Sequence, residues 1–354
     1  MKALKRWGRT GFARALVGTG IGSVLVHSRA SPPAVLAYHR IIDSGSVAAT
    51  VSYDDLHVSP EHFARQLALL DRQCRVITPE QFLRERTRRT RGKPRVLITF
   101  DDGWADNYTN ALPALGGFGM SALFFVAVNC VRTGDLYWTH KLLIGLRRYP
   151  GETAELLLRH DRTLAEPLKA PTSTEQCFGI FRTLNRLDKA KRSRTIDDIA
   201  SAYQTWQPAT ERRRHFLSWD QLSTMKAKGM GIGAHTMSHD PVTIHSAAEV
   251  MREMGDSKAA LHQQLGVPVE TMAFPHGRYN AQAVRAAEES GYRVAFTGPN
   301  LARAHHRRSG FSLYPRRTVV PRIFTKLNGQ YSPSLFYCWV TNVFTQPVPR
   351  QQTV

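Results

Sequence analysis

Val96-Leu97-Ile98-Thr99-Phe100 is a run of β-branched and aromatic residues, stopped by two adjacent carboxylates and a glycine, Asp101-Asp102-Gly103. A short apolar run of this composition has the form of a central parallel strand covered on both faces. Open α/β sheets and barrels bind their ligands at the carboxyl ends of such strands, which is where Asp101 and Asp102 fall. Neighbouring residues at a strand end point in different directions, so one acid can hold a cation while the other faces a water molecule. Alone, the stretch reads equally as a solvated Asp-Gly turn. The rest of the chain decides between the two.

Strands and helices alternate around it. Val35 to Ile41 reads as a first strand. Ser59-Pro60 and Thr78-Pro79 each open a helix with a hydroxyl cap and a proline at the first position. Arg75-Val76-Ile77 and Ala122 to Val128 read as further strands, with a helix over Asn107 to Gly119. This order predicts a parallel α/β sheet or barrel. From about Gly134 the alternation stops, and the next stretch holds two helical patterns, Trp138 to Tyr149 and Cys177 to Trp206. A helical insertion between barrel elements can shape a substrate opening, or serve as a packing or partner surface. Alternation resumes with a helix from Leu217 to Lys228, a strand ending at Ala234, strands over Met272 to Pro275 and Arg293 to Thr297, and a helix over Ala281 to Ser290.

The chain carries 48 Lys+Arg against 28 Asp+Glu, a formal charge of +20. That sign favours anionic surroundings such as phospholipid head groups or an acidic polymer. The basic residues are scattered and lack interleaved aromatics, and there is no zinc-finger spacing or phosphate-binding glycine loop, which disfavours nucleic acid. Cys74, Cys130, Cys177 and Cys338 are far apart; they read as buried thiols or as two long-range disulfides. Lys2, Lys5, Arg6, Arg9 and Arg14 precede an apolar stretch from Ala15 to Val26. Residues 1–30 therefore read either as an export signal or as an amphipathic surface anchor carrying Trp7 and Phe12. The expected location is exported or periplasmic, or peripheral to the inner membrane.

After the strand ending at Ala234 come His235 and His239. Two histidines four apart on one turn can aim both imidazoles at one metal ion, and with one carboxylate they make the three-ligand set of a catalytic zinc site. Cobalt, nickel or iron would also suit these donors. A third segment, Phe274-Pro275-His276-Gly277, runs from a strand into a turn whose backbone N–H can face a cleft.

Thr99-Phe100-Asp101-Asp102-Gly103, His235-Thr236-x-Ser238-His239 and Phe274-Pro275-x-Gly277, in this order, resemble the NodB-homology polysaccharide deacetylases of carbohydrate esterase family 4. Leu36-x-Tyr38-His39-Arg40 and Ser59-Pro60-Glu61-x-Phe63 resemble the branch acting on exopolysaccharides such as poly-N-acetylglucosamine. The resemblance implies a distorted (β/α) barrel over residues 31–325, with the helical insertion at about 134–214 and a C-terminal tail over 326–354. It implies a divalent metal, zinc foremost, held by Asp102, His235 and His239. It makes Asp101 the general base and gives the oxyanion the backbone N–H of His276. Many members carry an arginine two residues before the third motif's proline to orient the base; here that position is Ala273, and Arg316 is the candidate replacement. The late Leu-x-x-His that usually supplies the general acid is missing. The resemblance to members with the Tyr-His-Arg opening, which draw that histidine from the first strand, makes His39 the candidate, with a support of the ligands or a packed core histidine as the alternative. The implied substrate is an N-acetylated hexosamine of a polysaccharide or lipid-linked glycan. O-deacetylation or deformylation at the same site, and a non-catalytic glycan-binding barrel, are the alternatives.

Overall fold

A computed structural model describes residues 26–169, 173–206, 214–298, 307–308, 311–314, 317–320 and 331–341. The main sheet runs in the order β10 (Arg307–Arg308), β11 (Phe311–Tyr314), β9 (Val294–Phe296), β8 (Thr271–Ala273), β7 (Gly231–Ala234), β6 (Leu123–Val126), β5 (Arg95–Phe100), β1 (Ala34–Tyr38), β12 (Arg317–Val319). From β11 through β12 every neighbouring pair is parallel. Short β4 (Arg75–Val76) joins the start of β5, and β2 (Arg40–Ile41) pairs with β3 (His57–Val58) in a separate ribbon. The sheet curls until its two ends meet at a seam that has no strand ladder among the described residues. There Arg317 of β12 donates through Nε to the Thr297 carbonyl beyond β9 at 3.3 Å, and the Tyr314 hydroxyl reaches the Pro33 carbonyl at 2.5 Å. The result is the distorted (β/α) barrel that the family resemblance implies, and the parallel arrangement that the strand–helix alternation predicts.

Strand parity separates inside from outside. Val35, Leu97, Leu123, Phe125, Val294 and Phe296 fill the barrel interior with Phe82. The residues between them, such as Leu36, Ile98, Phe124 and Ala295, pack outward on the helices. Continuing the inward parity past each strand end leads to His39, Asp101 and His235. The sequence therefore aims these side chains at the barrel mouth before any tertiary detail is considered.

Local signals set the helices. Ser59 caps α1 (Pro60–Gln73), and Thr78 makes a full capping box with Gln81 at the start of α2 (Pro79–Glu85). The helix expected from Asn107 opens instead as a π-turn over Asn107–Ala111 and continues as α3 (Leu112–Gly117). Pro113 lacks an N–H, and a wide turn before it absorbs the missing bond. A short α4 (Val128–Thr133) ends at left-handed Gly134.

The insertion holds four helices rather than two: α5 (Trp138–Arg148), α6 (Pro150–His160), α7 (Ser173–Leu184) and α8 (Lys189–Trp206). Pro150 cannot continue α5 and opens α6, and the Asp188 carboxylate accepts from the Lys191 N–H to start α8. These helices share a small core of their own around Leu142, Leu146, Leu157, Ile180 and Ile199, which also takes in Tyr53. After α9 (Trp219–Ala227), α10 (Ala247–Leu265) and α11 (Ala281–Glu289), the segment expected as a tail contributes α12 (Pro333–Val340), which packs on α1 with Phe336 and Tyr337 buried. The polar end Gln346–Val354 and residues 1–25 lie outside the described residues. All four cysteines are buried free thiols.

Candidate active site

At the carboxyl rim the chain bends sharply in several places. Among the described residues the non-glycine positions with positive φ are Asp102 (73°), Thr236 (66°), His239 (65°) and His276 (56°). All belong to the three motif turns, and left-handed backbone at such residues costs energy that surrounding structure must offset. Gly103 follows at φ 77°, where a Cβ would lie 2.8 Å from Val126 Cγ1. Only glycine lets the acidic turn close on β6. The histidine turn is held from outside by Glu253 of α10, whose carboxylate accepts from the Met237 and Ser238 N–H groups at 2.8 and 3.0 Å. It is held from inside by the Thr236 hydroxyl, which accepts from the His239 N–H at 3.1 Å.

These turns bring Asp102, His235 and His239 together, each buried. Asp102 Oδ1 lies 3.5 Å from His235 Nε2 and 3.1 Å from His239 Nε2. All three donor atoms sit within 4.8 Å of one another. His235 Nδ1 is 2.7 Å from the Ala273 carbonyl. A carbonyl can only accept, so Nδ1 carries a proton and Nε2 faces Asp102 and His239. Asp102 Oδ2 accepts from the Trp104 indole at 3.0 Å, which leaves Oδ1 for the centre. Burial raises the Asp102 carboxyl, but His239 and His235 outweigh it and hold it well below its ordinary value. Burial lowers the His239 imidazole despite the pull of Asp102. One carboxylate and two imidazoles are a donor set that a divalent metal ion takes, so these residues fit one.

Asp101 sits beside this set with different partners. Its Oδ1 accepts from Arg317 Nη1 at 2.5 Å, and its Oδ2 lies 4.0 Å from His39 Nε2. Burial raises the carboxyl, yet Arg317, His235 and His39 together leave it below its usual value. Arg317 is itself buried between the rings of Phe125 and Phe296. Arg316, the expected partner of the base, lies outside the described residues; the guanidinium on Asp101 belongs to its neighbour. The β12 register pairs Arg317 with Val35, an interior residue of β1, so Arg317 has the inward parity. His276 stands at the turn after β8 with its ring centroid 5.0 Å from that of His239.

Three further residues support the site in roles the sequence did not reveal, although Arg40 stands in the Tyr38-His39-Arg40 motif. Tyr137, at the base of the insertion, stacks on His239 at 4.1 Å, and its hydroxyl reaches the Asp102 carbonyl at 3.3 Å. Arg40 lies 4.2 Å over the Trp104 ring and is held by Asp106 at 2.8 Å and Ser52 at 2.7 Å. The Trp104 that binds Asp102 is therefore clamped from behind. Position next to the acidic pair was the only hint of Trp104's role.

Residues 88–156 and 181–295, together more than half of the chain, match the Polysaccharide deacetylase family, and the chain belongs to it. Among curated proteins, YxkH of Bacillus subtilis (strain 168) is 22% identical over 264 residues, or 74% of this chain, and the chain spans 63% of that relative's length. Among solved structures, IcaB from Ammonifex degensii is similar with a TM-score of 0.52 at 19% identity, covering 88% of this chain and 98% of that one. BC0361, a polysaccharide deacetylase from Bacillus cereus, gives a TM-score of 0.53 at 16% identity, covering 88% and 69%. At these identities the structures establish a shared barrel.

Proposed function

We propose that this chain is a metal-dependent hydrolase that removes N-acetyl groups from a hexosamine-containing polysaccharide or lipid-linked glycan. The carrying observation is the division of labour between adjacent carboxylates: Asp102 faces two imidazoles, while Asp101 faces a guanidinium and a third histidine. Asp102, His235 and His239 would hold a divalent cation, zinc foremost, which when bound would acidify a water molecule and polarise the amide carbonyl. Asp101, kept ionised by Arg317, takes the proton as the water oxygen bonds to the carbonyl carbon. The backbone N–H of His276 donates to the carbonyl oxygen as negative charge develops there. Breaking the C–N bond needs a proton on the departing amine, and we assign that proton to His39, which is partly open to solvent beside Asp101. The products are acetate and a glycan amine.

Acetate release from N-acetylated chitooligosaccharides, with and without chelator, tests this reading. Release that chelator abolishes and zinc restores is expected. Chelator-insensitive release would overturn the metal dependence. Release only from O-acetylated or formylated sugars would reassign the substrate, and binding without any release would make the barrel a glycan-binding protein.

A further inference from the structure

The parallel strands fix the two ends of the barrel. Asp101, Asp102 and His235 follow the carboxyl ends of β5 and β7, whereas residues 26–33 lead into β1 and residues 86–94 into β5, at the opposite, amino end. These two segments are tied together there. Ser31 and Thr90 exchange backbone hydrogen bonds at 3.1 Å, the Gly92 N–H donates to the His27 carbonyl at 2.8 Å, and the Arg89 guanidinium donates to the Ala30 carbonyl at 3.0 Å.

The tie gathers cations. Arg29, Arg84, Arg88, Arg89, Arg91 and Lys93 are all exposed, and among the described residues no carboxylate pairs with any of them. Glu85, the acid within that run, is taken by buried Arg95 at 2.8 Å. Arg89 binds a neutral carbonyl and keeps its charge uncompensated. Like charges gathered on one face repel unless an external anion screens them. No aromatic side chain occurs in residues 84–93 on which a nucleic-acid base could stack. The sequence that leads into His27 is basic and then apolar, with Lys2, Lys5, Arg6, Arg9 and Arg14 around Trp7 and Phe12. That is the chemistry of a segment that seeks a lipid interface, and it runs directly into the cationic face. Among the described residues no helix is long and apolar enough to cross a membrane.

We propose that this amino-end face docks on an anionic phospholipid surface and turns the catalytic rim away from the bilayer, toward glycan. The inference stands apart from the deacetylase reading, because none of the six cations lies at the site. The test is sedimentation of the full chain with vesicles of mixed phosphatidylglycerol and phosphatidylcholine, against phosphatidylcholine alone. The comparison protein carries Arg84→Gln, Arg88→Gln, Arg89→Gln, Arg91→Gln and Lys93→Gln. Each cation near such a surface is worth roughly five-fold in partitioning, so a loss of about ten-fold or more on the anionic vesicles is expected. Added salt should weaken wild-type binding, while thermal midpoint and turnover of a soluble oligosaccharide stay at wild-type values in the variant. The N-terminal segment is present in both proteins, so their ratio isolates the face. Equal binding by the two proteins would overturn the proposal, as would tighter binding to duplex DNA than to the anionic vesicles.

Discussion

Asp101 lies between the Arg317 guanidinium, which helps hold it below its usual pKa, and the His39 imidazole, and single substitutions separate these influences. Asp101→Asn should retain metal and fold and lose about a hundred- to ten-thousand-fold in turnover, since an amide cannot take the proton; acetate release together with bound-metal analysis checks this. Arg317→Met leaves the carboxylate buried without its cation and frees the Thr297 carbonyl, so turnover should fall by about a hundred-fold with metal content unchanged. A variant with normal turnover would take Arg317 out of the site. His39→Ala should reduce turnover strongly while metal content and substrate affinity stay at wild type; a fall in metal affinity alongside rate would mark it instead as a support of the ligands. His39, Asp101 and His235 were legible in the sequence because each follows a readable strand on the inward parity, and Asp102 and His239 because they stand in the short turns directly after Asp101 and His235. The arginine was not. Arg316 and Arg317 are adjacent, one residue of register exchanges the two faces of a strand, and β12 is too short to reveal its own phase.

The insertion is an element built into the site, not hung beside it. Gly134 and His215, at its two ends, are joined by a backbone hydrogen bond of 2.8 Å. Its Leu136, Tyr137, Ile144 and Tyr203 share one core cluster with Trp104, Ala127 and Phe216 of the barrel. Removing it would therefore uncover the rings that back Asp102. Tyr137 isolates the contribution of this element. Tyr137→Phe keeps the ring on His239 and should lose less than about three-fold in turnover. Tyr137→Ala opens a cavity against a ligand and should lower metal affinity about ten- to a hundred-fold. Metal titration of both variants decides, and equal affinity in the two would remove the stacking from the site. The sequence announced helices here but not their contacts, because an apolar helical stripe does not name the surface it covers. The helix α10 was not among the expected elements, although Ser246 and Glu249 form a capping box at its start and left-handed Gly266 ends it. Its partners were beyond reach: Glu253 grips the histidine turn across a distance no local pattern encodes.

At the scale of the whole molecule, the contact between insertion and barrel contributes to how the protein responds to acid. His140 of α5 is enclosed by the rings of Tyr53, Trp104 and Tyr137. Neither of its ring nitrogens has a hydrogen-bond partner among the described residues. Burial pushes its pKa down to about 3. An unfolded chain protonates this histidine near pH 6.5, so between about 6.5 and 3 the unfolded state holds one more proton than the folded one. Stability contributed by the neutral imidazole is thus complete above that window and is lost as the pH falls through it. Each pH unit is worth about 1.4 kcal/mol, so the descent from about 6.5 to 4 within the fall from pH 7 to 4 costs on the order of 3 kcal/mol from this group alone. His140→Phe retains a ring in the aromatic enclosure and removes the titration. Urea unfolding of both proteins at pH 7 and pH 4 should show the variant losing less stability over that interval, by an amount of that order. Loss of the same stability by both proteins would place the acid sensitivity elsewhere and leave the buried histidine without effect on it.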